Sequence, residues 1–284
     1  MTPRAPRVAA FAGAVLLASA CASTPGLRMQ RALDASMERV LRTESYLRSA
    51  AGISSHPSRL TRGDGFVYLA DVAPVLRYLA EVRDTVRFRA LRGFVVEKLV
   101  RPGPSGLELA RRFRDGEAFE RATAYGHLWT VKALVDGWRL LGDTASALAR
   151  AQLAPFEPAA SQRLSAMHQL SIDCGDAMDA VPSDPAPARA VLVRAKKLVG
   201  SREAVADQGS PGSPAIEGEA ALLSCLTRVG IALRDPDATV RYLDHLLDHL
   251  QPMLTRSGRP DIGTAADILL TLRRARAAGP EYAR

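Results

Sequence analysis

Tyr125, His127, Trp129 and Lys132 stand close together along the chain, and they are the residue types that could recognise a sugar. Aromatic faces stack on sugar rings, while an imidazole and an ammonium bind hydroxyls. The same four residues also describe a packed helix in which Tyr and Trp fill core volume around a hydrogen-bonded His. Core packing is the expectation, and this cluster is the first place to seek a pocket. Asp173, Asp176 and Asp179 recur at intervals of three, with Asp184 just beyond. Carboxylates three apart are neighbours on a helix, and a pair facing across a cleft can hydrolyse a glycoside. No second, distant carboxylate can be set opposite them from sequence, and acidic residues ahead of Val181-Pro182-Ser183 suit a helix end and its cap. His245 and His249 lie four apart, so both rings share one side of a helix and could share a metal. Val240, Leu243, Leu247 and Leu250 mark the opposite, core-facing side, so a solvated pair without metal is expected. Arg62-Gly63-Asp64-Gly65 is a turn by composition, one that could set Asp64 on a cleft rim.

The elements that must carry these residues read as helices. Apolar periodicity marks Leu27 to Ala50, Val67 to Val82, and a helix capped by Asp84-Thr85 with Leu91, Phe94, Val95 and Leu99 as its buried stripe. Pro102-Gly103-Pro104-Ser105-Gly106 breaks the chain. From Glu117 to Leu141 two strips run side by side. One is apolar (Leu128, Val131, Leu134, Val135, Trp138, Leu141); the other is small (Ala122, Gly126, Ala133, Gly137). That pattern predicts a helix packed closely by others on most of its surface. Further helices are expected to Leu153, from Ala160 to Met178, from Pro185 to Ala206, from Glu217 to Leu233, from Pro236 to Leu250 and from Asp261 to Ala277. The fold class is therefore all-α, about ten helices over 28–284, with no sheet beyond one short strand at Phe66 to Leu69 and a sub-boundary at 207–215.

Three times an apolar helix ends in Arg/Gly-Asp and another begins at once: Arg83-Asp84-Thr85, Gly142-Asp143-Thr144 and Arg234-Asp235-Pro236. These predict helical hairpins, which stack into solenoids or close into toroids. Leu128 to Asp143 resembles the inner helix and turn of six-hairpin α/α toroids, and Trp138 to Ala151 resembles a tetratricopeptide unit. The toroid resemblance implies glycan processing, with Tyr125, His127 and either Asp64 or Asp173 at the cleft.

The first residues carry an address. Arg4 and Arg7 precede an apolar run from Val8 to Leu17, too short to span a bilayer, and then Ala18-Ser19-Ala20 leads into Cys21. Leu17-Ala18-Ser19-Ala20-Cys21 resembles the lipobox of bacterial lipoproteins, with Leu17 one place further from the cysteine than is usual. The resemblance implies removal of 1–20, acylation of Cys21 and a short tether over 21–27. Ala22 then favours the periplasmic face of the outer membrane. Cys174 and Cys225 remain, either as a disulfide in an oxidising compartment or as two buried thiols.

Composition narrows the function. Hydrophobic residues are 47% of the chain, enough for a real core. The formal charge of +8 is almost all arginine and interleaved with acids, so the basic stripe of a nucleic-acid binder is absent. No Gly-x-Ser-x-Gly, phosphate loop, dinucleotide glycine fingerprint, His-Glu-x-x-His or Cys-x-x-Cys occurs, and no cofactor is expected. The sequence thus points to a lipid-anchored envelope protein, non-enzymatic, presenting a helical face to an envelope protein or glycan. A glycan-processing enzyme is the alternative.

Overall fold

The structure is a computed structural model that describes residues 60–156, 166–199, 214–255 and 262–282. The signal at 1–20, Cys21, the tether at 21–27, the helix expected from Leu27 and most of the 207–215 boundary lie outside the described residues. The described chain runs β1 (Val67–Tyr68), α1 (Leu69–Glu81), α2 (Thr85–Phe94), a π-helical turn (Val95–Leu99), β2 (Val100–Gly103), β3 (Gly106–Arg114) and β4 (Glu117–Arg121). It continues through α3 (Ala124–Leu141), α4 (Thr144–Gln152), α5 (Ala166–Ala180), α6 (Ala186–Val199), α7 (Pro214–Ala232), α8 (Pro236–Thr255) and α9 (Ile262–Tyr282). The protein is mostly helical, with a small four-stranded sheet.

Helices follow where the caps and stops lie. Arg83, Gly142 and Arg234 take left-handed backbone, φ 58°, 65° and 52°, and end α1, α3 and α7. An aspartate follows each one. Asp84 accepts the Arg87 N–H at 3.0 Å and Asp235 accepts the Ala238 N–H at 2.9 Å, satisfying orphan donors of the next helix. Asp143 instead accepts Ser146 Oγ at 2.6 Å and pairs with Arg92 Nε at 2.9 Å, fastening α2 to the start of α4. Three tight helix–helix junctions result, as the repeated Arg/Gly-Asp pattern predicts.

The sheet corrects the expectation of no more than one short strand. Asp115 and Gly116 have φ 51° and 89°, and Arg114 faces Glu117, so a two-residue hairpin of the I′ kind joins β3 to β4. Glu117 therefore opens a strand rather than the long helix expected there. The Pro102–Gly106 break is itself a hairpin turn, with Gly103 opposite Gly106 around Pro104-Ser105. β1, β2 and β4 all pair antiparallel with β3.

Two apolar cores share α1 and α3. One gathers Leu69, Val72, Leu76 and Leu79 of α1 with Phe88, Leu91, Leu99 and Leu109. The other gathers Leu170, Val191, Leu222, Leu226, Leu243, Leu246 and Leu269 of α5 to α9, and reaches Ala73 and Trp129. Burying a side chain such as Phe88 or Leu91 stabilises the fold by about 1.5–3 kcal/mol. As the two strips predict, α3 packs closely through its small residues. Gly126, Ala133 and Gly137 are buried together with Trp129, whereas Trp138 is 51% exposed. A Cβ at Gly137 would overlap the Phe88 ring, and one at Gly126 would touch Leu69. Close approach of α1 and α2 selects small residues, while in the bulkier strip Leu134 is buried and Trp138 is left outward.

Candidate functional site

His127 lies in the first turns of α3, where Thr123 caps the helix by accepting the Gly126 N–H at 3.1 Å. A recess opens beside it, lined by Glu108 and Leu109 of β3, Arg121 and Ala122 at the end of β4, and Ala154 to Phe156 after α4. Backbone bonds from Ala122 N to Leu109 O (2.8 Å) and from Ala154 N to Leu107 O (2.9 Å) hold these walls together. The Phe156 ring lies 5.4 Å from the His127 ring, and the Arg121 guanidinium sits 5.4 Å from the Phe156 centroid. Arg121 Nη2 also pairs with the nearly buried Glu108 carboxylate at 3.4 Å.

Burial, reinforced by the Arg121 charge, pushes the His127 imidazole below its ordinary pKa, with Glu108 pulling weakly the other way. A neutral imidazole beside a carboxylate can accept a proton or a hydrogen bond. Its surroundings limit what it can act on. The recess spans about 200 Å³ counting its open mouth, but its free interior is about 10 Å³, room for about one water molecule. The Phe156 ring already has His127 and Arg121 as neighbours.

A second polar cluster sits between the two cores. Arg77 of α1 and Arg228 of α7 lie 4.8 Å and 5.8 Å from the Trp129 ring. Arg77 Nε bonds Asp136 Oδ2 at 2.8 Å; Arg228 Nη1 bonds Asp267 Oδ1 at 2.7 Å and Thr271 Oγ1 at 2.9 Å. Burial pushes the Arg228 guanidinium down, against the pull of Asp267; at Arg77 burial also pushes down, but Asp136, Asp267 and Asp179 together carry the shift upward. Lys132 adds ion pairs to Asp179 and, at 3.5 Å, to Asp176 on α5. Cations, carboxylates and one indole thus join α1, α3, α5, α7 and α9. The cluster is a joint within the fold, and neither arginine is among the residues that sequence reasoning singled out.

The residues proposed for a glycan cleft do not meet. Asp64 is exposed in its turn, accepting the Phe66 N–H at 3.0 Å and the Tyr68 hydroxyl at 2.5 Å, and the Tyr68 and Phe66 bonds hold its carboxyl below the usual range. It belongs to the Arg112–Phe113 end of β3, about 14 Å along the strand from Leu109 beside His127. Tyr125 turns the other way from His127 and meets Trp129 edge-on at 5.8 Å. Asp173 accepts from Gln169 at 2.8 Å and pairs with Arg194 of α6 at 2.8 Å. Asp184 accepts the Ala186 N–H at 2.9 Å, a cap for α6. His245 is exposed on α8, and the side chain of His249 lies outside the described ones. Among the described residues no group of three or more His, Cys, Asp or Glu is placed to hold a metal.

Cys174 of α5 and Cys225 of α7 form a fully buried disulfide, their Cα atoms 6.3 Å apart. Glu108 and Arg121, the charged walls of the recess, come from strands that helical spacing could not reveal. No protein family matches the chain, and neither a characterised protein nor a solved structure is significantly similar to it.

Proposed function

We propose that the protein is a lipid-anchored binding or scaffold module of a bacterial cell envelope, tethered through Cys21. The observation that carries the reading is the order of Arg4 and Arg7, the apolar run to Leu17, and Ala18-Ser19-Ala20-Cys21. The Cys174–Cys225 bond supports it, since such bonds persist outside the reducing cytosol. Ala22 favours the periplasmic face of the outer membrane. Several acyl chains at one residue hold a domain firmly, because each buried methylene contributes about 0.8 kcal/mol. In this reading the three tight junctions belong to a stacked-hairpin, solenoid- or toroid-like array whose outer face meets an envelope protein or glycan. The dispersal of Asp64, Tyr125, His127 and Asp173 favours binding over catalysis. Metabolic labelling with a fatty-acid analogue tests the anchor. Label on the natural chain and none on Cys21→Ser is expected; equal labelling of both would refute Cys21 as the attachment point.

A further inference from the structure

The exposed Trp138 of α3 leads to a surface that the anchor alone does not explain. Val86 of α2, Trp138 of α3 and Leu148 of α4 are 81%, 51% and 65% exposed. They lie on three helices that meet at Gly137. Gly137 lies against Phe88 of α2 and Ser146 of α4, and Arg89, one turn from Val86, reaches Asp143 at 3.5 Å. Trp138 stands one turn before the Gly142-Asp143 junction, and Leu148 one turn into the helix that follows. The charge there is one-sided: residues 83–94 and 137–152 hold six arginines against two aspartates, Asp84 and Asp143, with no lysine or glutamate. Asp84 is taken by Arg87 and Asp143 is buried beneath Arg92 and Arg89. Arg139 and Arg150 are exposed, and neither forms an ion pair among the described residues.

We propose that this corner docks on the anionic headgroups of a bilayer, with Trp138 entering the interface and the arginines meeting lipid phosphates. An exposed indole on helices rich in arginine suits the boundary where an amphipathic side chain has one wet and one apolar end. Each arginine brought near an anionic surface strengthens association about fivefold, and the effect fades within about 10 Å at moderate salt. No helix among the described residues is long and apolar enough to cross a membrane, so contact would be in the surface plane. The proposal rests on the envelope reading in one respect, that a bilayer lies within reach. Docking would hold the domain flat on that bilayer and present the opposite, α8 side to partners.

The test uses the mature chain, residues 21–284, made without its signal so that Cys21 carries no lipid. Co-sedimentation is measured with vesicles containing phosphatidylglycerol and with phosphatidylcholine vesicles. Binding to the anionic vesicles alone, weakening as salt rises, is expected. Arg139→Gln and Arg150→Gln should each weaken it about fivefold, and Trp138→Ser should weaken it further. Arg241→Gln on α8 and Val193→Ser on α6 should leave it unchanged. Trp129 is 3% exposed, so a blue shift of tryptophan fluorescence on binding would report Trp138. Equal binding to both vesicles, no binding, or full binding by Trp138→Ser would overturn the proposal. So would dimerisation of the free chain that Trp138→Ser abolishes, which would make a second copy the occupant. Because no acyl chain is present, failure here leaves the Cys21 anchor standing, and failed acyl labelling leaves this docking standing.

Discussion

Removing the Cys174–Cys225 bond should lower stability without changing the fold. The two residues are 51 apart, and tying ends at that separation takes chain entropy from the unfolded state worth about 4 kcal/mol. Both cysteines are fully buried, so a reductant reaches them only through opening of the α5–α7 contact. Removal also frees α5, whose Gly175 lies against Lys132 and Trp129. At about 2–4 °C per kcal/mol for a chain of this size, the melting temperature should fall by roughly 10 °C. Circular dichroism melts of the natural chain with and without reductant, and of Cys174→Ala/Cys225→Ala, supply the measurement. The double variant should keep its helical signal, and reductant should no longer affect it. Coincident melts for all three samples, or two thiols titrating in the unfolded non-reduced protein, would refute the reasoning.

Three further outcomes follow from the packing and the polar joint. Gly137→Val forces a side chain into the Phe88 ring and should cost about 1–3 kcal/mol, while Trp138→Ser, next to it, should change stability by less than about 0.5 kcal/mol in denaturant titrations. Asp267→Ala strands the buried Arg228 guanidinium and should cost about 3–5 kcal/mol, with Arg228→Met/Asp267→Leu recovering much of the loss. His127 is held neutral in the fold, so the unfolded chain binds the extra proton first. Stability should therefore decline as pH falls below the ordinary histidine value near 6.5, levelling off below the folded value. His127→Gln should flatten that part of the stability–pH curve.

The helical half of this fold was legible because its signals are local. A left-handed residue followed by an aspartate recurs at Arg83, Gly142 and Arg234, and each marks a true junction. The sheet was not legible in the same way. Arg111-Arg112-Phe113-Arg114 shows little strand alternation, and the hairpin signal in Asp115-Gly116 is only two residues long. On α3, the small strip beside the apolar one was legible as a closely packed surface. Which bulky residues stay outside was not: Leu134 is buried and Trp138 exposed, since a close approach is decided by what the partner helix presents. His127 was legible as a place to look, but its charged neighbours Glu108 and Arg121 reach it through strand pairing. Arg77 and Arg228 are 151 positions apart, and only the tertiary fold sets both against one indole.

The proposed lipid anchor is tested most directly by the intact mass of the protein isolated from the cells that make it. A chain beginning at Cys21 and heavier than its amino acids by fatty-acyl groups, confined to the N-terminal peptide, is the predicted result. An unmodified mass that still includes Met1 to Ala20 would contradict it.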